Sequence, residues 1–304
     1  MQYEVSEDLA NTRLDQYLAS VSEVSRSKAV ELISIGQVLV NGKPADKSYR
    51  VQVKDLIDAN LDLPKSELLD IAPSEPIKVL YKDDDLVVID KPKDVAVHAS
   101  IGWSGATVVA GLRAQGIFPA TSGASERQGI VQRLDVGTTG LMVIALSEVA
   151  YSRLKNQFRD REVTKIYHAL VQGHPDPVQG TIDAPIDRLP GQSHKFAVME
   201  SGKPSITHYK LLETWAHASL LEVRLETGRT HQIRVHMQAI RHPCVGDALY
   251  GADPTLTKRL GLDRQWLHAV KLTFVHPVTG ETMTFKSEYS PDLKKALEIL
   301  KNAY

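Results

Sequence analysis

Residues 129–145 read Gly-Ile-Val-Gln-Arg-Leu-Asp-Val-Gly-Thr-Thr-Gly-Leu-Met-Val-Ile-Ala. One carboxylate, Asp135, stands where an apolar run gives way to a turn rich in glycine and threonine. A second apolar run follows. The pattern predicts a strand, a tight turn and a second strand, with Asp135 at the mouth of the turn. A carboxylate on a rigid support beside flexible glycines suits chemistry on a bound ligand. An aspartate that only accepts turn amides has the same local signature. These residues taken alone favour that second, plainer reading.

Three other stretches carry reactive or recognition side chains. The first is Glu226-Thr-Gly-Arg-Thr-His-Gln-Ile-Arg-Val-His236. Gly228 is placed to end a strand, Thr230 to cap a helix, and Arg229 falls at the junction. His231 and His236 invite a metal, but no acid or cysteine stands at a recognised ligand spacing, so no metal is expected. The second is the strand Asp85–Asp90, which ends in Lys91-Pro92. The third is Lys165–Val171, where Tyr167 offers a flat ring and a hydroxyl. An aromatic residue on a strand is usually core, and a lysine at a strand end is usually surface.

Taken in order, these stretches resemble the motifs of the RluA family of RNA pseudouridine synthases. That family carries His-Arg-Leu-Asp followed by a Gly- and Thr/Ser-rich turn and an apolar strand. Here Arg133-Leu134-Asp135 and the turn match, while Gln132 stands where most members have His. Asp90-Lys91-Pro92 is similar to the family's first motif, but Lys93-Asp94-Val95 and His98-Ala99 depart from its Gly-containing loop and Val-His-Pro. The resemblance implies that Asp135 is catalytic and that Tyr167 stacks on the target base. It implies that Arg229 pairs with Asp135 and keeps it ionised. It places Ile233 beside the base, Arg133 in the space the base vacates or on the RNA, and Lys91 under the site or on the RNA. The stretches His242–Asp247 and His268–Glu281 also resemble the family and read as mainly structural.

The implied reaction isomerises uridine to pseudouridine. The N1–C1′ bond breaks, uracil turns, and C5 bonds to C1′. Cleavage at an anomeric carbon is work for an ionised carboxylate, so no cofactor and no metal are expected. The uridine must leave its stack to be reached. The partner that the resemblance implies is large-subunit ribosomal RNA or a pre-ribosomal particle. A glycoside hydrolase would need a second acid near the sugar, and none stands out in these motifs. A non-catalytic RNA-binding factor would not need Asp135, Tyr167 and Arg229 together.

These residues need elements to position them. The chain has 304 residues, 42% of them hydrophobic, a formal net charge of −1 and one cysteine, Cys244. That suffices for one large and one small domain, and it excludes an internal disulfide and a cysteine zinc site. The net charge gives no global signal for nucleic acid. No secretory signal or membrane-length apolar run is visible, so a cytoplasmic protein is expected. The sequence does not give the oligomeric state, and a monomer is the default expectation. Residues 1–62 read as a small α/β domain. Leu14, Tyr17, Leu18 and Val21 fall at helical spacing after a cap at Asn11 or Thr12. A second helix starts at Ser25 or Ser27 and stops at Gly36, and Asn41-Gly42 marks a hairpin. Strands near Val51–Val53 and Leu56–Ala59 follow.

This block resembles the S-four RNA-binding domain. Six cations lie between residues 26 and 54, among them Arg26, Lys28 and Lys43, against two acids. Such a face can contact phosphates. Residues 63–76 read as a linker. From Ile77 to the end, short strand-like runs, Ile130–Leu134 among them, alternate with helices near Ala106–Ala114, Glu148–Arg159 and Thr230–Ile240. They predict an α+β catalytic domain around a mostly antiparallel mixed sheet, the pseudouridine synthase fold.

Overall fold

The computed structural model describes residues 1–22, 24, 26–34, 36–61, 71–99, 103–123, 127–192 and 194–302. It forms two compact units, Met1–Leu68 and Leu69–Tyr304. Among the described residues, no helix is long and apolar enough to cross a membrane.

The first unit packs two helices on an antiparallel sheet. The strands are β1 (Gln2–Glu4), β2 (Val38–Val40), β3 (Lys43–Pro44) and β4 (Leu56–Ala59), in the order β1-β4-β2-β3. Helix α1 (Leu14–Val21) buries Leu14, Tyr17 and Leu18, and α2 (Arg26–Ser34) buries Ala29, Leu32 and Ile33. Both faces meet Val38, Val40 and Ile57. Gly36, at φ +75°, ends α2, and the amides of Gly36 and Gln37 reach back to Ile33 and Leu32. Asn41 and Gly42 both take positive φ, the requirement of the tight β2–β3 hairpin. Two local expectations change. The residue capping α1 is Arg13, and Thr12 donates its hydroxyl to Leu9 O instead. Val51 is no strand residue: its amide and carbonyl pair with Thr12 and Asn11, which hold the loop against the start of α1.

The second unit is built on one nine-stranded sheet. Its elements are β5 (Lys78–Lys82), β6 (Leu86–Lys91), α3 (Val108–Ala114), β7 (Thr139–Ala145), α4 (Glu148–Arg159) and β8 (Thr164–Gln172). Then come β9 (Gln179–Asp183), β10 (Ile186–Arg188), β11 (Phe196–Val198), β12 (Ile206–Trp215), β13 (Ala218–Leu225) and α5 (Gln232–Ala239). The chain closes with α6 (Pro254–Arg259), β14 (Leu267–Val275), β15 (Thr282–Lys286) and α7 (Pro291–Lys301). The sheet order is β5-β6-β7-β14-β8-β13-β12-β9, with β15 on β14 and β10–β11 as a separate hairpin. All pairings are antiparallel except β7–β14. The fold is thus the expected α+β class with a mostly antiparallel sheet.

The middle of this sheet sets the positions that matter. Every residue of β7 is buried, because its two faces pack into different apolar clusters, one containing Met142 and Ile144, the other Leu141 and Val143. The parallel pair joins Ala269 to Gly140 and His268 to Thr139. Gly140 has to be glycine: at φ +110° a Cβ there would lie 2.4 Å from Ala269 O. Ala269 also pairs with Tyr167 on β8, so Tyr167 and the start of β7 share one level of the sheet. Ile130–Leu134, expected as a strand, makes only one bridge, Ile130 to Ile144. β14 already takes the edge of β7 at Thr139 and Gly140, so the segment leaves the ladder.

Residues 63–70 of the expected linker lie outside the described residues. Residues 71–76 do not behave as a linker. Ile71 bridges Ala106, and Thr107 N donates to Ile71 O at 2.9 Å. A Cβ on Gly111 would meet Pro73 Cδ at 2.9 Å, so this segment lies tight against α3. The second unit therefore includes Ile71 rather than starting at Ile77. A chain starting at Ile71 should melt as one cooperative unit. One starting at Ile77 should lose about 1–2 kcal/mol, the scale of one hydrogen bond plus a buried apolar contact. Urea melts of the two chains compare them directly, and equal stability would refute the packing role of residues 71–76.

Candidate active site

Asp135 precedes β7 in a turn closed by Thr138 N donating to Asp135 O at 3.0 Å. Three side chains from distant parts of the chain grip this turn. Lys91 ends β6 opposite Gly140 and is fully buried. Its Nζ donates to Val136 O at 3.0 Å, Val95 O at 2.7 Å and Pro92 O at 2.9 Å. Arg264 Nη1 donates to Gly137 O at 2.6 Å, while Asp292 at the start of α7 holds the same guanidinium at 2.8 and 3.0 Å. Gln265 Nε2 donates to Thr138 Oγ1 at 3.1 Å. Lys91 spends its three protons on carbonyls and has no surface to offer RNA. It positions the turn, which corrects the RNA-contact reading. Burial pushes its ammonium down to about 7, against a smaller upward pull from Asp135.

A guanidinium stands against the Asp135 carboxylate, but it is that of Arg234. Nη1 of Arg234 lies 3.0 Å from Asp135 Oδ2. Its Nε and Nη2 donate to Asp247 at 2.6 and 2.9 Å, and its face lies 4.9 Å from the Tyr250 ring centre. Burial opposes its charge, yet the bonds to Asp247 and the two carboxylates hold it above the usual arginine value. Arg229, the expected partner, donates Nε to Pro204 O at 3.2 Å and lies exposed in the cleft wall.

The start of α5 explains the difference. Gln232 is buried and its Oε1 accepts from Arg229 N at 3.0 Å and Thr227 Oγ1 at 2.7 Å. Helix α5 therefore starts at Gln232, after His231 in the left-handed region at φ +55°. Its first turn carries Arg234 to Asp135 and leaves Arg229 outside the helix. Thr230, expected as the cap, instead accepts a hydrogen bond from Arg133. The missed signal was Arg234 in the same motif, together with Asp247 in a stretch read as mainly structural.

Asp135, Tyr167, Arg229, His231, Ile233 and Arg234 line one slot. Tyr167 is buried on β8; burial, and then the Asp135 charge, raise its phenol, so it stays protonated. Ile233 supplies an apolar wall. His231 Nε2 lies 3.9 Å from Asp135 Oδ1, and its Nδ1 lies 2.8 Å from Tyr250 Oη. Burial lowers its pKa and favours the neutral ring. The structure thus brings Asp135, Tyr167, Arg229, Ile233 and Arg133 together around one cleft.

On the first unit, Arg26 Nε is tied to Asp15 Oδ2 at 3.0 Å and Lys43 is exposed on β3. Lys28 lies on α2, and its side chain is outside the described residues. His236 is committed to Thr207 Oγ1 and Ala184 O, so it is no metal ligand. Asp83, Asp85 and His276 cluster with potential ligand atoms within 4.8 Å. His276 Nδ1 accepts from the amides of Val278 and Thr279 and Nε2 donates to Asp83, which makes the cluster a structural corner.

The family model described as RNA pseudouridylate synthase matches residues 85–239, which span the Asp135 turn, Tyr167 and Arg234. The chain belongs to the RluA family of RNA pseudouridine synthases. An S4 domain model matches residues 12–57 of this synthase. An uncharacterized RNA pseudouridine synthase of Mycobacterium bovis is 54% identical over 98% of this chain and 97% of its own length. Ribosomal large subunit pseudouridine synthase D of Escherichia coli K12 is 38% identical over 98% of this chain and 93% of its own. Among solved structures, Human RNA Pseudouridylate Synthase Domain Containing 1 superposes with a TM-score of 0.60 at 28% identity, covering 74% of this chain and 90% of the human one.

Two predictions test this geometry. Arg234→Gln leaves Asp247 buried beside a lost charge and should cost about 3–5 kcal/mol. Arg229→Gln should cost less than about 1 kcal/mol. Urea unfolding ranks the two, and the reverse ranking would refute the assignment. The second concerns Lys91. Between about pH 7 in the folded protein and roughly 10.4 in the unfolded chain, the unfolded state binds more protons at Lys91. Stability contributed by this site therefore rises with pH across that window. The unfolding free energy of the wild type minus that of Lys91→Met should grow between pH 7 and 9. A constant difference would show that the buried ammonium is not depressed.

Proposed function

We propose that this synthase isomerises uridines of large-subunit ribosomal RNA in the cytoplasm, with Asp135 as its one catalytic carboxylate. The observation that carries the reading is the acid count in the slot. Among the described residues lining it, Asp135 is the only carboxylate. A glycosidase would need two. The RNA substrate class follows from the family. The ribosomal assignment is supported by the 38% identity to the ribosomal large subunit enzyme over nearly the whole chain.

The target uridine leaves its stack and enters with its C1′ toward Asp135. The carboxylate meets positive charge developing at C1′ as the N1–C1′ bond breaks, either by attack on C1′ or as a base toward a glycal. In both routes the freed uracil turns, C5 bonds to C1′, C5 gives up a proton and N1 gains one. Nothing else is consumed, so no cofactor is required. The Tyr167 ring and Ile233 hold uracil between apolar surfaces while it turns. Arg234 fixes the carboxylate in place. Arg133 and Arg229 serve the RNA backbone at the rim, and Arg26, Lys28 and Lys43 of the amino-terminal unit neutralise RNA phosphates.

Pseudouridine mapping of ribosomal RNA from cells with and without the protein tests the substrate. Sites that vanish without it and return with the wild-type chain identify the target. Asp135→Asn should fold and bind RNA yet restore no detectable pseudouridine. Restoration by that variant would remove Asp135 from the chemistry, and an unchanged large-subunit map would remove the ribosomal assignment.

A further inference from the structure

A chamber of ≈ 390 Å³ opens beside the slot and shares Arg133, Tyr167 and Arg229 with it. Asp135 belongs to the slot alone, while Gln132, Arg161 and Lys165 belong to the chamber alone. Five cationic side chains and one carboxylate, Glu226, line it. The carboxylate is already engaged: Arg161 Nη1 lies 3.3 Å from one oxygen and His208 Nε2 2.7 Å from the other. Arg159 closes on its neighbour Asp160 at 2.9 Å.

Lys165 differs from these. Its ammonium lies 5.8 Å from the centre of the Phe158 ring, and among the described residues it meets no carboxylate and no hydrogen-bond acceptor. Burial, and then the Arg161 charge, push it down to about 8, so it remains charged at neutral pH. The amide nitrogen of Gln132 in the same wall is buried and has no acceptor among the described residues. A partly desolvated cation and an orphaned donor both destabilise the empty protein. One kind of occupant relieves both: an anion rich in acceptor oxygens. In RNA that anion is the phosphodiester, and pockets of about 300–1,000 Å³ hold one small molecule.

We propose that this chamber is a second nucleotide pocket, which takes the RNA nucleotide next to the target uridine. Lys165 holds its phosphodiester, and Gln132 donates to an acceptor of the same nucleotide. The proposal rests on the reading of Asp135 as the reacting carboxylate on an RNA uridine. It adds a demand on the neighbour that the reaction itself does not make. It also gives Gln132, which departs from the family's usual His, a function in substrate choice.

The test uses an RNA fragment that carries a uridine identified by mapping. It is made in three forms: unmodified, and with one uncharged methylphosphonate linkage on the 5′ or the 3′ side of that uridine. For the wild-type protein, one of the two neutral linkages should lower kcat/KM about tenfold, the scale of a charge-assisted contact, chiefly through KM. Lys165→Gln should show the same loss on unmodified RNA and lose nothing more on the neutral one. Lys165→Arg should keep the sensitivity to the linkage. If neither linkage matters for the wild type, or if the two losses multiply in Lys165→Gln, the pocket is refuted. A fall in kcat with KM unchanged would seat the target uridine itself in the chamber and refute it equally. If the wild type forms no pseudouridine on any of the three RNAs, the parent reading falls and this inference falls with it.

Discussion

One buried guanidinium between two carboxylates orders the whole site. Arg234 is nearly out of water, and an isolated cation there would be prohibitive. Asp247 makes it tolerable through two charge-assisted bonds, and the face of Tyr250 covers what remains. That leaves one nitrogen, Nη1, with a fixed direction, and it points at Asp135. Asp135 is itself only partly exposed, so it sits at the border between the protein and the cleft. The arrangement couples three regions, the turn before β7, the first turn of α5 and the short 3₁₀ helix at Ala248–Tyr250. None can shift without stranding a charge in the others. The proposed role of Asp135 needs the carboxylate rigid and reachable at once, and a buried ion network with one exposed end meets both demands.

The backbone of the Asp135 turn is held in the same way from beneath. Its carbonyls at Val136 and Gly137 belong to half-buried residues, where a carbonyl left unpaired away from water costs roughly 1–3 kcal/mol. Lys91 and Arg264 satisfy them with positive donors. Arg264 in turn depends on Asp292 and Ser290 at the head of α7. The carboxy-terminal helix therefore takes part in the active site without touching it. Its apolar face, Leu293, Ala296, Leu297 and Leu300, packs with Trp266, and the Trp266 indole donates to Leu293 O. A defect in that packing loosens the turn by way of Arg264, about 30 residues earlier in sequence.

The parts legible in the sequence are those fixed by neighbours in the chain. Helix α4 runs over Glu148–Arg159 as its periodicity predicts, because Ser147 accepts the Ala150 amide and needs no distant partner. Gly36 and the Asn41-Gly42 turn are equally local. What the sequence hid depends on partners far away. Ile130–Leu134 has the composition of a strand, but β14, more than 120 residues later, takes the edge it would have used. The choice of Arg234 over Arg229 turns on Gln232 reaching back to Thr227 and Arg229, and on Asp247 lying 13 residues beyond. Lys91 reads as surface because lysines usually are, and only the pairing of β6 with β7 buries it. Helix α7 carries an apolar spacing visible in the sequence, yet its value lies in Asp292 and Arg264, which spacing cannot reveal.

The net charge of −1 is uninformative for a physical reason: it averages over charges that the fold sorts. Cations gather where the chain bends around the cleft, from Arg133, from the end of α4 and the start of β8, and from the turn before α5. Few of them have carboxylates of their own within the cleft, and Glu226 is shared by Arg161 and His208. The acids are used elsewhere as structural partners: Asp15 for Arg13 and Arg26, Asp83 for His276, Asp292 for Arg264. A polyanion meets the sorted surface and not the average. The single carboxylate of the slot then gains a second property from its surroundings. In the proposed reaction it is the only carboxylate of the slot among the described residues, beside a mostly cationic chamber, so RNA phosphates would be drawn past it while it faces the sugar that becomes positive. Attraction of the substrate and stabilisation of the reacting centre thus call for opposite charges a few ångströms apart, and the Arg234 bridge lets them coexist.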